Sequence, residues 1–272
     1  MIDLSEFESI RPYSDEEAVA ALARVARHPM IPVISKYLFP NAPINALHKS
    51  LTSVKSIDEF QKVVMVDVVN SVLAKTSEGF TCSGIENLKE LEGKRFLAIS
   101  NHRDIVLDPC LICYSLFDRG FSEVELCVGS NLLQNRLVED LLRSNRMIKV
   151  IRGISARELY LSSKTLSKYI RLTITSGTSS VWIAQREGRT KDGWDTTEQG
   201  LLKMFDMSGE KSFEENFREL NIIPMSISYE YEPCDARKAR ELYIKQTEGK
   251  YVKKPREDMH SILTGIGQRK GH

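Results

Sequence analysis

The chain has 272 residues, 42% of them hydrophobic, enough to bury a substantial core in one large domain or in one domain with a small appendage. Lys and Arg number 38 against 37 Asp and Glu; the formal charge of +1 excludes a general attraction to nucleic acid or anionic lipid, so any such attraction must be local. The longest apolar runs, such as Phe96-Leu97-Ala98-Ile99 and Val181-Trp182-Ile183-Ala184, fall far short of the roughly 20 residues of a membrane-spanning helix.

The start, Met1-Ile2-Asp3-Leu4-Ser5-Glu6, is acidic and lacks the basic-then-apolar order of a secretory signal, so a cytoplasmic location is expected. Residues 1–75 read as an N-terminal helical segment. Ser14 with Glu17, and Ser56 with Glu59, fit the capping box, in which each side chain satisfies a free backbone donor at a helix start. After Ser14, the spacing of Ala18, Ala21, Leu22 and Val25 predicts a short amphipathic helix. Pro29 to Pro40 is an apolar, proline-broken stretch that also holds Lys36; packing on the core is favoured over contact with a bilayer. The five cysteines do not resemble the framework of a secreted domain. Cys110 and Cys113 lie in the apolar run from Pro109 to Phe117, where positions three apart share a helix face, and read as core.

From about Gly79 onward, short apolar strands alternate with helical patterns. The strand candidates are 80–85, 95–100, 124–129, 147–152, 180–185 and 222–229. Between them, Asn131 to Ser144 carries a helical stripe of Leu133, Leu137 and Leu141. Residues 76–272 are therefore expected to form an α/β domain: a mixed, largely parallel sheet flanked by helices, with functional groups at the carboxyl ends of its strands.

The densest chemistry lies between Phe96 and Pro109. A buried strand ends in Asn101-His102, a short loop follows, and Asp108-Pro109 is expected to open a helix, Asp as N-cap and Pro as first residue. A carboxylate bonded to one ring nitrogen of His102 fixes the tautomer and stabilises the imidazolium formed when the other nitrogen takes a proton. Asp108 is the first choice for that carboxylate, and Asp104 is the alternative.

Asn101-His102 followed by an acid resembles the first signature block of the glycerolipid acyltransferases, the enzymes that acylate glycerol 3-phosphate or 1-acyl-glycerol 3-phosphate. In that family four residues separate the His from the Asp; here five lie between His102 and Asp108, and Arg103 alone between His102 and Asp104. Three further blocks follow in the family's order. Met147-Ile148-Lys149-Val150-Ile151-Arg152-Gly153 resembles the second, Glu187-Gly188-Arg189-Thr190-Lys191 the third, and Ile222-Ile223-Pro224-Met225-Ser226-Ile227 the fourth. The family has one more residue between the Gly and the Arg of the third block. The resemblance implies His102 and Asp108 as the catalytic pair, and Arg152, Glu187, Gly188 and Arg189 as the site for the acceptor phosphate. Gly188 lets backbone approach a ligand closely, and Arg189 offers a planar fork suited to phosphate oxygens.

What the resemblance implies for function is transfer of a fatty acyl group to a hydroxyl of lysophosphatidate or a related glycerol phosphate, in phospholipid biosynthesis. The donor is acyl-CoA or acyl carrier protein, no cofactor or metal is required, and no nucleic acid takes part. A peripheral membrane contact on the inner face is expected. The span from Asn131 to Arg171 carries nine basic and three acidic residues, and Asp235 to Lys270 ten basic and five acidic; both surpluses suit anionic groups. The stretch from Ile262 to His272 stops where another strand of the family domain would follow, so the domain is expected to be truncated at its C-terminus. Two rival readings are a metal-dependent hydrolase using His102, Asp104 and Asp108, and a noncatalytic lipid- or CoA-binding module.

Overall fold

A computed structural model describes residues 4–91, 93–121, 124–133, 135–153 and 155–272. The first three residues of the acidic start, and Gln134 within the expected helix of 131–144, lie outside the described residues. The N-terminal part is helical, as its sequence implies: α1 (Asp15–Ala26), α2 (Ile31–Leu38), α3 (Ala46–Ser53), α4 (Ile57–Phe60) and α5 (Val66–Thr76), with a π-helical turn at Gln61–Met65 joining the last two. The capping box of α1 is complete, since Glu17 N–H donates to Ser14 Oγ and Ser14 N–H to Glu17 Oε2. At α4, Ser56 Oγ accepts from Glu59 N–H, but the Glu59 carboxylate takes the amide of Lys55 instead of Ser56. The Pro29–Pro40 stretch contains α2, with Pro32 in its first turn, where no intrahelical donor is lost. One face of α2 packs through Ile31, Ser35 and Leu38, while Met30, Val33 and Tyr37 are about half exposed. Among the described residues no helix is long and apolar enough to cross a membrane.

The remainder alternates strand and helix. In chain order these are β1 (Leu97–Ser100), α6 (Leu107–Asp118), β2 (Val124–Gly129), α7 (Arg136–Arg143), β3 (Met147–Val150), α8 (Ala156–Thr175), β4 (Ser180–Ala184), α9 (Gln199–Asp206), α10 (Phe213–Arg218), β5 (Ile222–Met225), α11 (Asp235–Glu248) and α12 (Glu257–Gly267). The five strands form one sheet in the order β3-β2-β4-β1-β5. Every pairing is parallel, in keeping with the expected α/β domain built on a largely parallel sheet flanked by helices. Helices cover both faces, which is why the strands read as nearly continuous apolar runs. Leu97, Ile99, Ile148, Val181 and Ile183 pack under α8 and α9, and Ala98, Leu126, Met147 and Trp182 under α6. Pro224 lies on β5, at the edge of the sheet, opposite Ile99 of β1.

The strand expected at 80–85 does not form. Phe80 and Cys82 are exposed, Gly84 turns the backbone at a φ of +77°, and a 3₁₀ turn follows at Ile85–Leu91, so no face is available for an alternating pattern to bury. The helix expected from 131 to 144 is confined to α7 after a 3₁₀ turn at Ser130–Leu132. Past α12, the backbone of residues 270–272 bonds to Thr76 and Glu78 on one side and to Glu230 and Tyr231 on the other.

Candidate active site

The loop after β1 is built by its own polar groups. Asn101 acts as a substitute backbone: its Oδ1 accepts from Ile227 N–H at 2.8 Å and its Nδ2 donates to Ile227 O at 2.9 Å, extending the β1–β5 pairing beyond the last ladder bond. His102 follows at the carboxyl edge of the sheet, and its carbonyl accepts from Thr190 N–H at 2.8 Å, which draws the loop after β4 onto it. Asp104 Oδ1 then accepts from the amides of Val106 and Leu107, satisfying free donors at the start of α6. The expected cap is therefore corrected: α6 begins at Leu107, Asp108 and Pro109 are its second and third residues, and the capping acid is Asp104.

Asp108 is free of capping because its two oxygens are fully used elsewhere. Oδ2 lies 2.8 Å from His102 Nδ1 and accepts from the amides of Arg103 and Asp104 at 2.5 and 2.9 Å, while Oδ1 accepts from Tyr229 Oη–H at 2.7 Å. The carboxyl group is wholly buried. The two amides and the Tyr229 hydroxyl already donate to Asp108, so the carboxylate is set to accept from His102 as well, which assigns the proton to Nδ1 and leaves Nε2 as the acceptor nitrogen. Nε2 has no hydrogen-bond partner among the described residues, and the His102 side chain keeps 14% of its surface exposed. The ring sits edge-on to Trp182, whose indole N–H donates to Ser100 Oγ. Asp104, the alternative partner, makes no side-chain hydrogen bond or ion pair with His102 among the described residues. Its Oδ2 is buried without a hydrogen-bond partner and faces Gly265 of α12.

Burial first, and then the charge of Asp108, push the Tyr229 phenol well above its usual range, so it remains a donor. Cys110, next along α6, is pushed up to about 12 by burial and by the charges of Asp104 and Asp108, and Cys113 is raised by burial. Neither thiol is a nucleophile at neutral pH. Both fit the core reading of this cysteine pair. Among the described residues no group of three His, Cys, Asp or Glu side chains is arranged to hold a metal ion.

The other expected site residues lie at the ends of neighbouring strands. Arg152 follows β3 and pairs with Glu187 in the loop after β4 at 3.5 Å. A Cβ at Gly129, the last residue of β2, would meet Arg152 Nε at 3.0 Å and Asn131 Oδ1 at 2.5 Å, so the absence of a side chain there lets both lie on the strand end. Gly188 has a φ of +72° and is unobstructed, as a close backbone approach requires. Arg189 precedes the Thr190 that is bonded to His102, and its Nη1 is buried without a hydrogen-bond partner among the described residues; the Asp258 carboxyl is held low against burial by Lys253 first, then by Asn131, with Arg189 adding least. Arg186 Nε and Gln185 Nε2 are likewise buried without hydrogen-bond partners among the described residues. The loop after β4, which Thr190 N–H bonds to the His102 carbonyl, thus holds three buried donors without a hydrogen-bond partner among the described residues.

Four functional neighbours escaped the sequence reading. Tyr229 had a weak signal, lying two residues past Ile227 on the line of β5. Asp195 had none: it accepts from Thr190 Oγ1, Asn101 Nδ2 and Arg103 Nη2, and these bonds outweigh burial to keep its carboxyl below the usual range. Trp182 read only as core. Lys238 read only as part of a basic helix.

A family model described as Acyltransferase matches residues 79–228, more than half of the chain. The chain belongs to the acyltransferase family. In this acyltransferase the matched stretch holds all five strands, the His102–Asp108 pair, Arg152 and the Glu187–Arg189 turn. The N-terminal helices, Tyr229, α11 and α12 lie outside it. Comparison with curated proteins gives no match.

Proposed function

We propose that this acyltransferase moves a fatty acyl group from acyl-CoA or acyl carrier protein to a free hydroxyl of a glycerol phosphate, lysophosphatidate first among them. The observation that carries the reading is the His102–Asp108 pair at 2.8 Å, with Nε2 unengaged, beside the unpartnered donors of the loop after β4. In the proposed step Nε2 takes the proton of the acceptor hydroxyl as its oxygen attacks the thioester carbonyl carbon. The C–S bond then breaks, and the departing sulfur takes the proton back from the imidazolium. Asp108 holds the tautomer and offsets the transient positive charge. No acyl-enzyme is needed, consistent with the raised thiols of Cys110 and Cys113.

Arg152 and Arg189 are assigned to the acceptor phosphate, Gly188 to backbone approach, and Glu187 to orienting Arg152. Guanidinium forks suit phosphate oxygens, and fixing the phosphate places the hydroxyl relative to the base, a gain of several kcal/mol in well-oriented systems. The deciding experiment supplies labelled acyl-CoA or acyl carrier protein with a panel of phosphorylated and unphosphorylated glycerol acceptors and identifies the lipid formed. Phosphatidate from lysophosphatidate, with a rate collapsing when the phosphate is absent, is the expected result. Thioester hydrolysis independent of any acceptor would contradict it.

A further inference from the structure

Lys238 lies on α11, outside the stretch matched by the family model. Its side chain is 3% exposed, and its ammonium donates to the carbonyl oxygen of Arg103 at 2.7 Å and to Glu232. That carbonyl belongs to the same peptide unit as the Asp104 N–H, which donates to Asp108 Oδ2 at 2.9 Å. One planar group therefore has a cation at its negative end and the Asp108 carboxylate at its positive end, and hydrogen bonds in such a chain strengthen one another. We propose that Lys238 is a positioning residue that acts on His102 through this single peptide: it fixes the peptide's orientation and polarises its N–H toward Asp108. Its kinetic readout rests on the acyl-transfer reading, while its electrostatic readout does not.

The groups facing this relay are few. Glu232 is the counter-ion of Lys238, and the Arg103 guanidinium stands 3.8 Å from Glu232 and 2.6 Å from Asp195. On the next turn of α11, Glu241 is taken up by Lys191 and Lys245. Around Asp108 and Asp104 stand Tyr229, Cys110 and, acting on Asp104 at longer range, Lys270. Lys238 lies no more than about 8 Å from Asp108 along the relay, summing its bonds with the peptide's own dimensions. At that separation one charge shifts a neighbouring titration by on the order of one pH unit.

The sign is fixed by the geometry. A cation behind the pair disfavours the imidazolium of His102, so Lys238→Met is expected to raise the titration midpoint of the ring by roughly one pH unit. Glu232→Gln leaves the cation uncompensated and is expected to lower it; Lys238→Arg, which keeps the charge, is expected to stay close to wild type. The midpoint is read from histidine side-chain NMR titrations without substrate, the His102 resonance being assigned by its loss in His102→Gln. With substrates, Lys238→Met is expected to lose about tenfold in kcat with both KM values unchanged.

Shifts in the same direction for Lys238→Met and Glu232→Gln, or none in either, overturn the proposal, because loosening of the loop alone would not produce opposite signs. Should Lys238→Met fail to fold, Glu232→Gln decides alone: absence of a downward shift overturns the relay. Opposite shifts in a protein that transfers no acyl group would sustain the relay and sink the acyl-transfer reading.

Discussion

Asp108 accepts four hydrogen bonds, and Tyr229 is the only donor among the four that is neither backbone nor His102. Tyr229→Phe keeps the packing and removes that one bond, leaving Oδ1 buried with a lone pair unmet. A loss of about 1–3 kcal/mol in stability is expected by chemical denaturation, with a fall in kcat larger than any change in KM. Glu125, 6% exposed on β2 and bonded to Tyr169 Oη–H at 2.8 Å, offers an independent check on the interior. Burial raises its carboxyl to about 7, against the Tyr169 bond and the charge of Arg146. Between its ordinary range and about 7 the folded protein holds a proton that the unfolded chain has lost, so stability falls as pH rises through that window and stays lowered above it. Glu125→Gln is therefore expected to match wild type near pH 4 and to exceed it by about 3 kcal/mol near pH 8 in urea titrations. His102 and Asp108 were legible because a strand end and a helix start bring them together within one short segment. Tyr229, Asp195 and Lys238 were not, because each reaches the loop across some ninety residues or more of chain and no local pattern records such a contact.

Among the elements, α12 shows how a helix outside the family match takes part in the site. Gly265 packs so closely on Asp104 that a Cβ would lie 2.1 Å from Oδ2. Gly265→Ala must displace the helix, the loop that carries His102, or the Asp104 carboxylate whose Oδ1 accepts from the amides at the start of α6. A loss of about 1–3 kcal/mol is expected, together with reduced kcat; unchanged stability and turnover would show that α12 yields freely. The strands from 95 to 225 were legible to within four residues, since each is a short, mostly apolar run; β1 and β4 are almost wholly buried, the edge strand β5 only partly. At 80–85 the same periodicity failed because burial and a pairing partner, not alternation, make a strand. The capping of α6 failed for a related reason: two acids four residues apart compete for the free amides, and the one not occupied with His102 takes them.

Across the molecule, one of the ties between the N-terminal helices and the sheet domain is a buried carboxylate. Asp140 of α7 accepts from Arg24 at 2.9 Å twice, from Tyr13 Oη–H at 3.1 Å, and pairs with Arg136 at 3.1 Å. Burial raises its carboxyl, but these partners outweigh burial and leave it below the usual range. Its contribution is present above the ordinary carboxylate range and is lost as pH falls through the lowered value. Asp140→Ala is expected to cost about 2–3 kcal/mol at neutral pH, less than a fully buried pair because Arg24 and Arg136 can rehydrate, and little in strong acid. The helical character of this segment was plain from its caps and spacing, whereas its anchoring through Asp140 depends on a contact spanning 116 residues. The functional reading stands or falls with Nε2 of His102. The most direct measurement is the steady-state rate of acyl transfer by His102→Ala, its fold verified by circular dichroism, against wild type with the same thioester and lysophosphatidate. Direct base catalysis requires a loss of about 10²–10⁴-fold in kcat; a folded variant retaining most of the wild-type rate would contradict it.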